Sequence, residues 1–338
     1  MDTRTFKIYE NIEMKEVRFK NRYGIELAGH LYLPENYEGK KNPAIVVSGP
    51  FGAVKEQSSG LYAQEMASKG FVTIAFDNSF CGESGGEVRN VASPEIFTED
   101  FSAAVDYLGT LDYVDRDRIG VIGICGLSGM AVTATGADTR IKAVATVSMY
   151  DMSRDISRGH MDYYTEEQRN KIKDYLGQVR WNDAVNGQTS LGSHELSFTE
   201  DGEVNTAAPS FPEGMTPDEI SKMLHGMDET VGSFFDYYVI RAHHDRAVNF
   251  VSSWTATTPV GFFEYPLMTN IKEISPRPVM FIAGENAHSR YYSEDAYKAA
   301  NEPKQLVIVP EADHAALYDQ KKLIPFEQLA DFFHKAFA

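Results

Sequence analysis

Four short apolar runs, separated by stretches of helical character, constrain the fold of this chain more than any other feature. They are PAIVVS (43–48), FVTIAF (71–76), RIGVIGI (118–124) and IKAVATVS (141–148). Runs of this length without strict alternation are expected of strands buried on both faces. A helical stretch near 61–68 ends at Gly70. A second starts at Ser93-Pro94, a capping residue followed by a proline suited to the first helical position. A third follows RIGVIGI and runs through Ala137. Repeated strand–helix units predict a mostly parallel central sheet with helices on both faces. Ahead of them, residues 14–20 and 25–33 alternate apolar and polar around the turn-like Asn21-Arg22-Tyr23-Gly24, which reads as an antiparallel front end.

The rhythm stops after Tyr150 and resumes at PVMFIA (278–283) and QLVIVP (305–310), with a closing helix over 325–337. Residues 151–270 hold helix starts instead. Thr165-Glu166-Glu167-Gln168 and Thr216-Pro217-Asp218-Glu219 are capping boxes, and the Gly-, Ser- and Thr-rich segment 186–210 reads as loop. The domain reading is therefore a core formed by residues 1–150 and 271–338, interrupted by a mostly helical lid over 151–270. Such a lid would sit over the carboxyl edge of the sheet, where α/β sheets bind ligands. It carries 19 Asp and Glu against 9 Lys and Arg, a net of −10 out of −17 for the chain, and both tryptophans, Trp181 and Trp254. Its aromatics serve two expected purposes, a small core of the lid itself and, for a minority, a substrate pocket.

The acidic balance argues against nucleic acid and against an anionic membrane surface as partners. No apolar run approaches the ~20 residues of a membrane helix, and residues 1–10 mix charges without the apolar stretch of an export signal. Two cysteines, Cys81 and Cys125, are too few for a disulfide framework or a zinc site. The expected setting is the reducing cytoplasm. No cofactor and no metal is expected, and the expected partner is a small-molecule acyl substrate. Assembly into a homo-oligomer is left open.

The chemistry concentrates in RIGVIGICGLSGM (118–130), where a strand runs through small residues into a helix. That is the setting of a nucleophile elbow, a strained turn that lifts one side chain off the sheet. Cys125 follows the strand directly and is the favoured nucleophile. A helix N-terminus also favours its thiolate. Ser128 is the alternative nucleophile, although the strand would then have to take in two further glycines and Cys125. Nucleophile, acid and histidine follow in that order in such folds. His314, just past QLVIVP, is the expected base, and Glu285, the first carboxylate after PVMFIA, the expected acid, with Asp295 as the alternative. His288 is a weaker candidate for a supporting role. The oxyanion hole needs two backbone N–H groups. Gly126 follows the nucleophile, and Phe51 lies in the loop Gly49-Pro50-Phe51-Gly52, where Pro50 has no N–H to give.

Five stretches carry a family resemblance: GPFGAVKEQ (49–57), GICGLSGMA (123–131), HHDRAVN (243–249), ISPRPVMFIAGENAHSRYYSEDAY (274–297) and VPEADHAALYD (309–319). With them the chain resembles the dienelactone-hydrolase-like branch of the α/β-hydrolase superfamily, in particular the polyketide transferases and their bacterial relatives. The likeness spans nearly the whole chain. Ser128 stands where the family pattern has the first of two glycines, which keeps that serine in play. The resemblance implies the α/β-hydrolase fold, a cysteine nucleophile at Cys125 with His314 as base, and ester, lactone or thioester chemistry through an acyl-cysteine intermediate. Two other readings stay open: a ligand-binding protein without catalysis on the same fold, and a peptidase or amidase.

Overall fold

A computed structural model describes residues 5–206, 211–249 and 252–338. The first four residues of the N-terminal segment and the end of the 186–210 stretch lie outside the described residues. Eight strands form one sheet: β1 (Glu13–Lys20), β2 (Glu26–Leu33), β3 (Asn42–Ser48), β4 (Val72–Phe76), β5 (Val114–Ile124), β6 (Ile141–Val147), β7 (Val279–Gly284) and β8 (Lys304–Val309). Their spatial order is β1-β2-β4-β3-β5-β6-β7-β8. Strand β2 pairs antiparallel with β1 and β4, and every other neighbouring pair is parallel. This is the α/β-hydrolase fold. The apolar runs take the central positions because helices cover them on both sides. Ala44, Ile45, Val46 and Val47 of β3 are fully buried, each of the larger three contributing about 1.5–3 kcal/mol.

Helix α1 (Ser58–Ser68) packs with the closing helix Phe326–Ala336 on one face, and α2 (Pro94–Thr110) with α3 (Leu127–Ala137) on the other. Local sequence sets the helix starts. Ser93 caps α2, its side chain accepting from the Ile96 N–H, with Pro94 at the first position. Both capping boxes form, at Thr165 before the helix Glu166–Asn186 and at Thr216 before the helix Pro217–Met227. The 186–210 stretch differs from a plain loop. Leu191–Gly192 pairs with Trp254–Thr255, and Ser197–Phe198 pairs with Val204–Asn205; the second ribbon sets Phe198 and Val204 on a small core of Ile172, Leu176 and Leu196, while Trp254 of the first is buried in the main core.

The last part of the 151–270 segment is pinned to the loop after β3 and the start of α1. The Tyr237 hydroxyl accepts from the Ser58 N–H (2.9 Å), Gln57 Nε2 donates to the Ala242 carbonyl (2.6 Å), and the Val248 N–H donates to the Gly52 carbonyl (2.7 Å). No described helix is long and apolar enough to cross a membrane.

Candidate active site

Strand β5 ends at Ile124, and the chain turns sharply into α3. Cys125 is at the turn with φ at +56°, a conformation costly for a residue with a side chain. Three contacts hold it there: its N–H donates to the Val147 carbonyl (2.9 Å), and its carbonyl accepts from the Ser128 N–H (3.0 Å) and the Tyr150 N–H (3.1 Å). The flanking glycines are required by close approach. A Cβ on Gly123 would stand 2.7 Å from Ser128 Cα, and one on Gly126 would stand 2.7 Å from Phe51 Cβ. Ser128 is fully buried in α3, and its hydroxyl donates back to the Gly123 carbonyl at 2.8 Å. The serine hydroxyl is thus turned into the elbow's own backbone.

The N–H groups of Phe51 and Gly126 both bear on the Cys125 thiol, and so does the Tyr318 hydroxyl. The Phe51 carbonyl, in the peptide shared with Gly52, is taken up by Asn249 and Tyr238 of the 151–270 segment, which fixes the far side of the residue whose N–H bears on the sulfur. Burial pushes the Cys125 thiol up to about 11, against the Tyr318 hydroxyl and the two N–H groups, which favour the thiolate. The Phe51 ring packs 4.6 Å from Trp254 and 5.1 Å from His194, so aromatics of the 151–270 segment cover the side chain of the residue whose N–H bears on the thiol. Trp181, by contrast, is 69% exposed.

His314 lies 2% exposed in the loop after β8. Its Nε2 is bonded to Tyr318 Oη at 2.7 Å and its Nδ1 to Ser289 Oγ. Burial, helped by the neighbouring His288, holds His314 well below the usual imidazole range. His288 stacks 4.9 Å from His314, is bonded through Nε2 to the Tyr150 hydroxyl, and is itself pushed down to about 4 by burial. A neutral imidazole can accept a proton, so the group suits a base.

The carboxylates expected beside His314 are elsewhere. Glu285 continues the sheet by one residue, its N–H donating to the Val309 carbonyl (2.9 Å), so strand alternation turns its exposed side chain outward, where it accepts from the Glu311 N–H (3.1 Å). Asp295 is on the helix Arg290–Ala299 and pairs with Arg154 (3.0 Å) and Lys298 (3.2 Å), tying the lid to the core. The histidine's Nδ1 partner is Ser289, not an acid. Ser289 and Tyr318 are the partners of His314 that the sequence does not single out. A search for carboxylates passes over a serine, whereas Tyr318, four residues past His314, was findable as an i, i+4 neighbour. Glu285→Gln and Asp295→Asn are each expected to leave kcat/KM on an activated ester within about 3-fold of wild type. Ser289→Ala is expected to lower it by about 10-fold, through loss of one hydrogen bond of ~1–1.5 kcal/mol to the base.

Among the described residues no group of three or more His, Cys, Asp or Glu is placed to hold a metal ion. The two cysteines are both free and buried. A thiol, a buried neutral imidazole and two converging N–H groups can together form, stabilise and break a covalent acyl adduct.

The family model described as X-Pro dipeptidyl-peptidase (S15 family) matches residues 23–193. The chain is 52% identical over 331 residues to the uncharacterized protein PA2218 of Pseudomonas aeruginosa, which covers 98% of this chain and 82% of that protein. The crystal structure of that protein matches with a TM-score of 0.87 at 50% identity, over 98% of this chain and 96% of that one. Thiohydrolase aneE of Aspergillus aculeatus is 25% identical over 305 residues, 89% of this chain and 86% of that protein. The crystal structure of the α/β hydrolase GrgF from Penicillium sp. sh18 matches with a TM-score of 0.71 at 20% identity, over 96% of this chain and 99% of that one, a likeness of fold.

Proposed function

Since the chain belongs to the X-Pro dipeptidyl-peptidase (S15) family of α/β hydrolases, we propose that it is a hydrolase or acyltransferase that works through an acyl-cysteine intermediate at Cys125. Hydrolase and acyltransferase chemistry on esters is found at the level of the family and its relatives. The family's ordinary nucleophile is serine, and the proposal is that cysteine has taken its place. The observation that carries this reading is Cys125 at +56° φ, with the Phe51 and Gly126 N–H groups on its sulfur.

In this reading the thiol proton passes to His314 as sulfur attacks the substrate carbonyl carbon. The C–S bond forms, and the carbonyl electron pair moves onto oxygen, which the two N–H groups hold. Collapse restores the carbonyl and expels an alkoxide or thiolate, which leaves with the proton from His314. Water or an alcohol then attacks the acyl-cysteine, its proton going to His314, and the Cys125 thiolate leaves and is reprotonated. A thioester substrate suits a cysteine, since exchange between sulfurs costs little, and the thiohydrolase relative supports that choice.

Charge at the site narrows the acyl group. Glu195 has a side chain 62% open to solvent, 3.5 Å from His194. His194, with His288 and His160 adding to it, holds the Glu195 carboxyl below the usual carboxylate range. A carboxylate paired with His194, whose ring packs on Phe51, disfavours substrates with an anionic acyl tail. Neutral acyl thioesters are expected to outpace matched dicarboxylic ones by about 10-fold, a difference of ~1.4 kcal/mol, and Glu195→Gln is expected to narrow that gap.

The test is mass spectrometry of the intact protein and its peptides, with turnover measured alongside. The probes are p-nitrophenyl butyrate, a butyryl thioester of N-acetylcysteamine, and Ala-Pro p-nitroanilide. The expected result is an acyl adduct on Cys125 and turnover of the first two. Adduct on Ser128 would overturn the nucleophile, and efficient release of p-nitroaniline would shift the reading to a peptidase. Binding without turnover of any probe would leave a ligand-binding protein.

A further inference from the structure

In the simplest form of this chemistry the histidine touches the nucleophile. Here the His314 nitrogen nearest the chemistry is bonded to Tyr318 Oη at 2.7 Å, and the same hydroxyl bears on the Cys125 sulfur. We propose that Tyr318 is a catalytic residue that relays the proton between Cys125 and His314. The proposal rests on the acyl-cysteine reading and assigns that site a further member.

The placement is built rather than incidental. Tyr318 is fully buried on the one-turn helix Ala316–Asp319, four residues after His314. Its carbonyl accepts from the Ser58 hydroxyl at 2.9 Å, which anchors the helix to the start of α1. Its ring packs edge-on to Tyr237 at 4.8 Å, and the His314 ring meets it at 5.3 Å. Phe234 closes over both, 5.2 Å from His314 and 6.3 Å from Tyr318. The phenol therefore has little freedom to leave its hydrogen bond to His314.

The other ring nitrogen sets the direction of transfer. A base needs a free lone pair on Nε2, so Nδ1 carries the hydrogen and donates it to Ser289 Oγ. Nε2 then accepts the Tyr318 O–H, and the Tyr318 oxygen is free to receive the thiol proton. The step is balanced: the S–H bond breaks as an O–H bond forms on Tyr318, while the original Tyr318 O–H bond breaks as an N–H bond forms on His314. The products are a thiolate, a neutral phenol and an imidazolium. The two transfers are concerted, because burial, with Cys125 and Tyr238 adding to it, holds the phenol well above its ordinary range and leaves no room for a free tyrosinate. For deacylation the same chain runs in reverse.

The decisive variant is Tyr318→Phe, which keeps the ring and its packing and removes only the hydroxyl. With a butyryl thioester, the acylation rate is expected to fall at least 100-fold while KM changes less than 3-fold. The wild type is expected to give a curved proton inventory in mixed H2O and D2O, the mark of two protons in flight. Acylation by Tyr318→Phe at the wild-type rate, or a linear inventory in the wild type, would overturn the relay. If Tyr318→Phe fails to fold, 3-fluorotyrosine at the same position serves. Its more acidic hydroxyl is expected to move the alkaline limb of the acylation profile to lower pH, and an unmoved limb would count against the proposal. Iodoacetamide separates the two hypotheses. If the wild type forms no acyl adduct, the acyl-transfer reading fails. The relay then stands only if alkylation of Cys125 near pH 7 is at least 10-fold slower in Tyr318→Phe, and equal rates overturn it.

Discussion

Cys125→Ala is expected to lower kcat/KM on an activated thioester by about 10⁴-fold or more, the scale seen when a nucleophile is removed from a site that acts as a unit. Two features of the structure make the loss that large. The alternative nucleophile Ser128 is not free to replace it, since its hydroxyl is held by the Gly123 carbonyl at 2.8 Å inside the helix. The oxyanion donors also converge on this one side chain. Ser128→Ala is therefore expected to cost stability, about 1 kcal/mol for the lost hydrogen bond, and to keep the acyl adduct. The pH dependence sharpens the expectation. With the thiol pushed up to about 11 and His314 held well below 6.5, the resting pair is neutral across the neutral range. Alkylation of Cys125 by iodoacetamide should rise with pH toward about 11. A stable thiolate–imidazolium pair would instead give a plateau beginning in the acid range. Stopped-flow alkylation from pH 5 to pH 11 checks this, and an acid-range plateau would reject the neutral resting state.

Lys55→Met is expected to destabilise the fold by about 3–5 kcal/mol, the cost of leaving buried charge without its partner. Lys55 is 1% exposed, and its Nζ meets Glu56 at 2.9 Å, Asp77 at 3.0 Å and Glu83 at 2.7 Å. Burial alone would lower its pKa, yet Asp77 and Glu56 hold the ammonium above its usual range. Arg246 of the lid adds ion pairs to Glu56 (2.9 Å) and to Glu83. The Lys55 N–H also donates to Asp77 at 2.7 Å, four residues past the Phe51 peptide. The cluster thus braces both the oxyanion loop and the lid. Urea unfolding at pH 7 measures the loss. Glu56 is already raised by burial and by Asp77, so the double variant Lys55→Met, Glu56→Gln should recover part of it. The penalty is carried by ionised carboxylates. It is therefore full at pH 7 and shrinks as pH falls and Glu56 takes up a proton. A penalty independent of pH would show that packing, not charge, is what Lys55 supplies.

The sheet was legible because its strands are buried on both faces, and such strands are written as apolar runs. The helix starts at Ser93, Thr165 and Thr216 were legible because a cap is a bond between residues two or three apart in the chain. The elbow was legible at Cys125 because strain and crowding demand glycine on either side. The third partner of His314 was not. Glu285 fitted the expected order, but one more residue of pairing with β8 turned it to solvent, and sequence order carries no information about which face a loop residue presents.

The sequence by itself determined the parallel sheet, the break in its strand rhythm over residues 151–270, the sharp turn at Cys125 and the loop that carries His314, since each follows from local periodicity, caps and small residues. Only the tertiary structure decided that Ser289 and Tyr318 flank His314, that Asn249 and Tyr238 take up the Phe51 carbonyl, and that Lys55 holds three carboxylates together. Those choices depend on which buried polar groups find one another once water is excluded, and residues up to 198 positions apart, as for Asn249 and Phe51, meet only when the whole chain has packed.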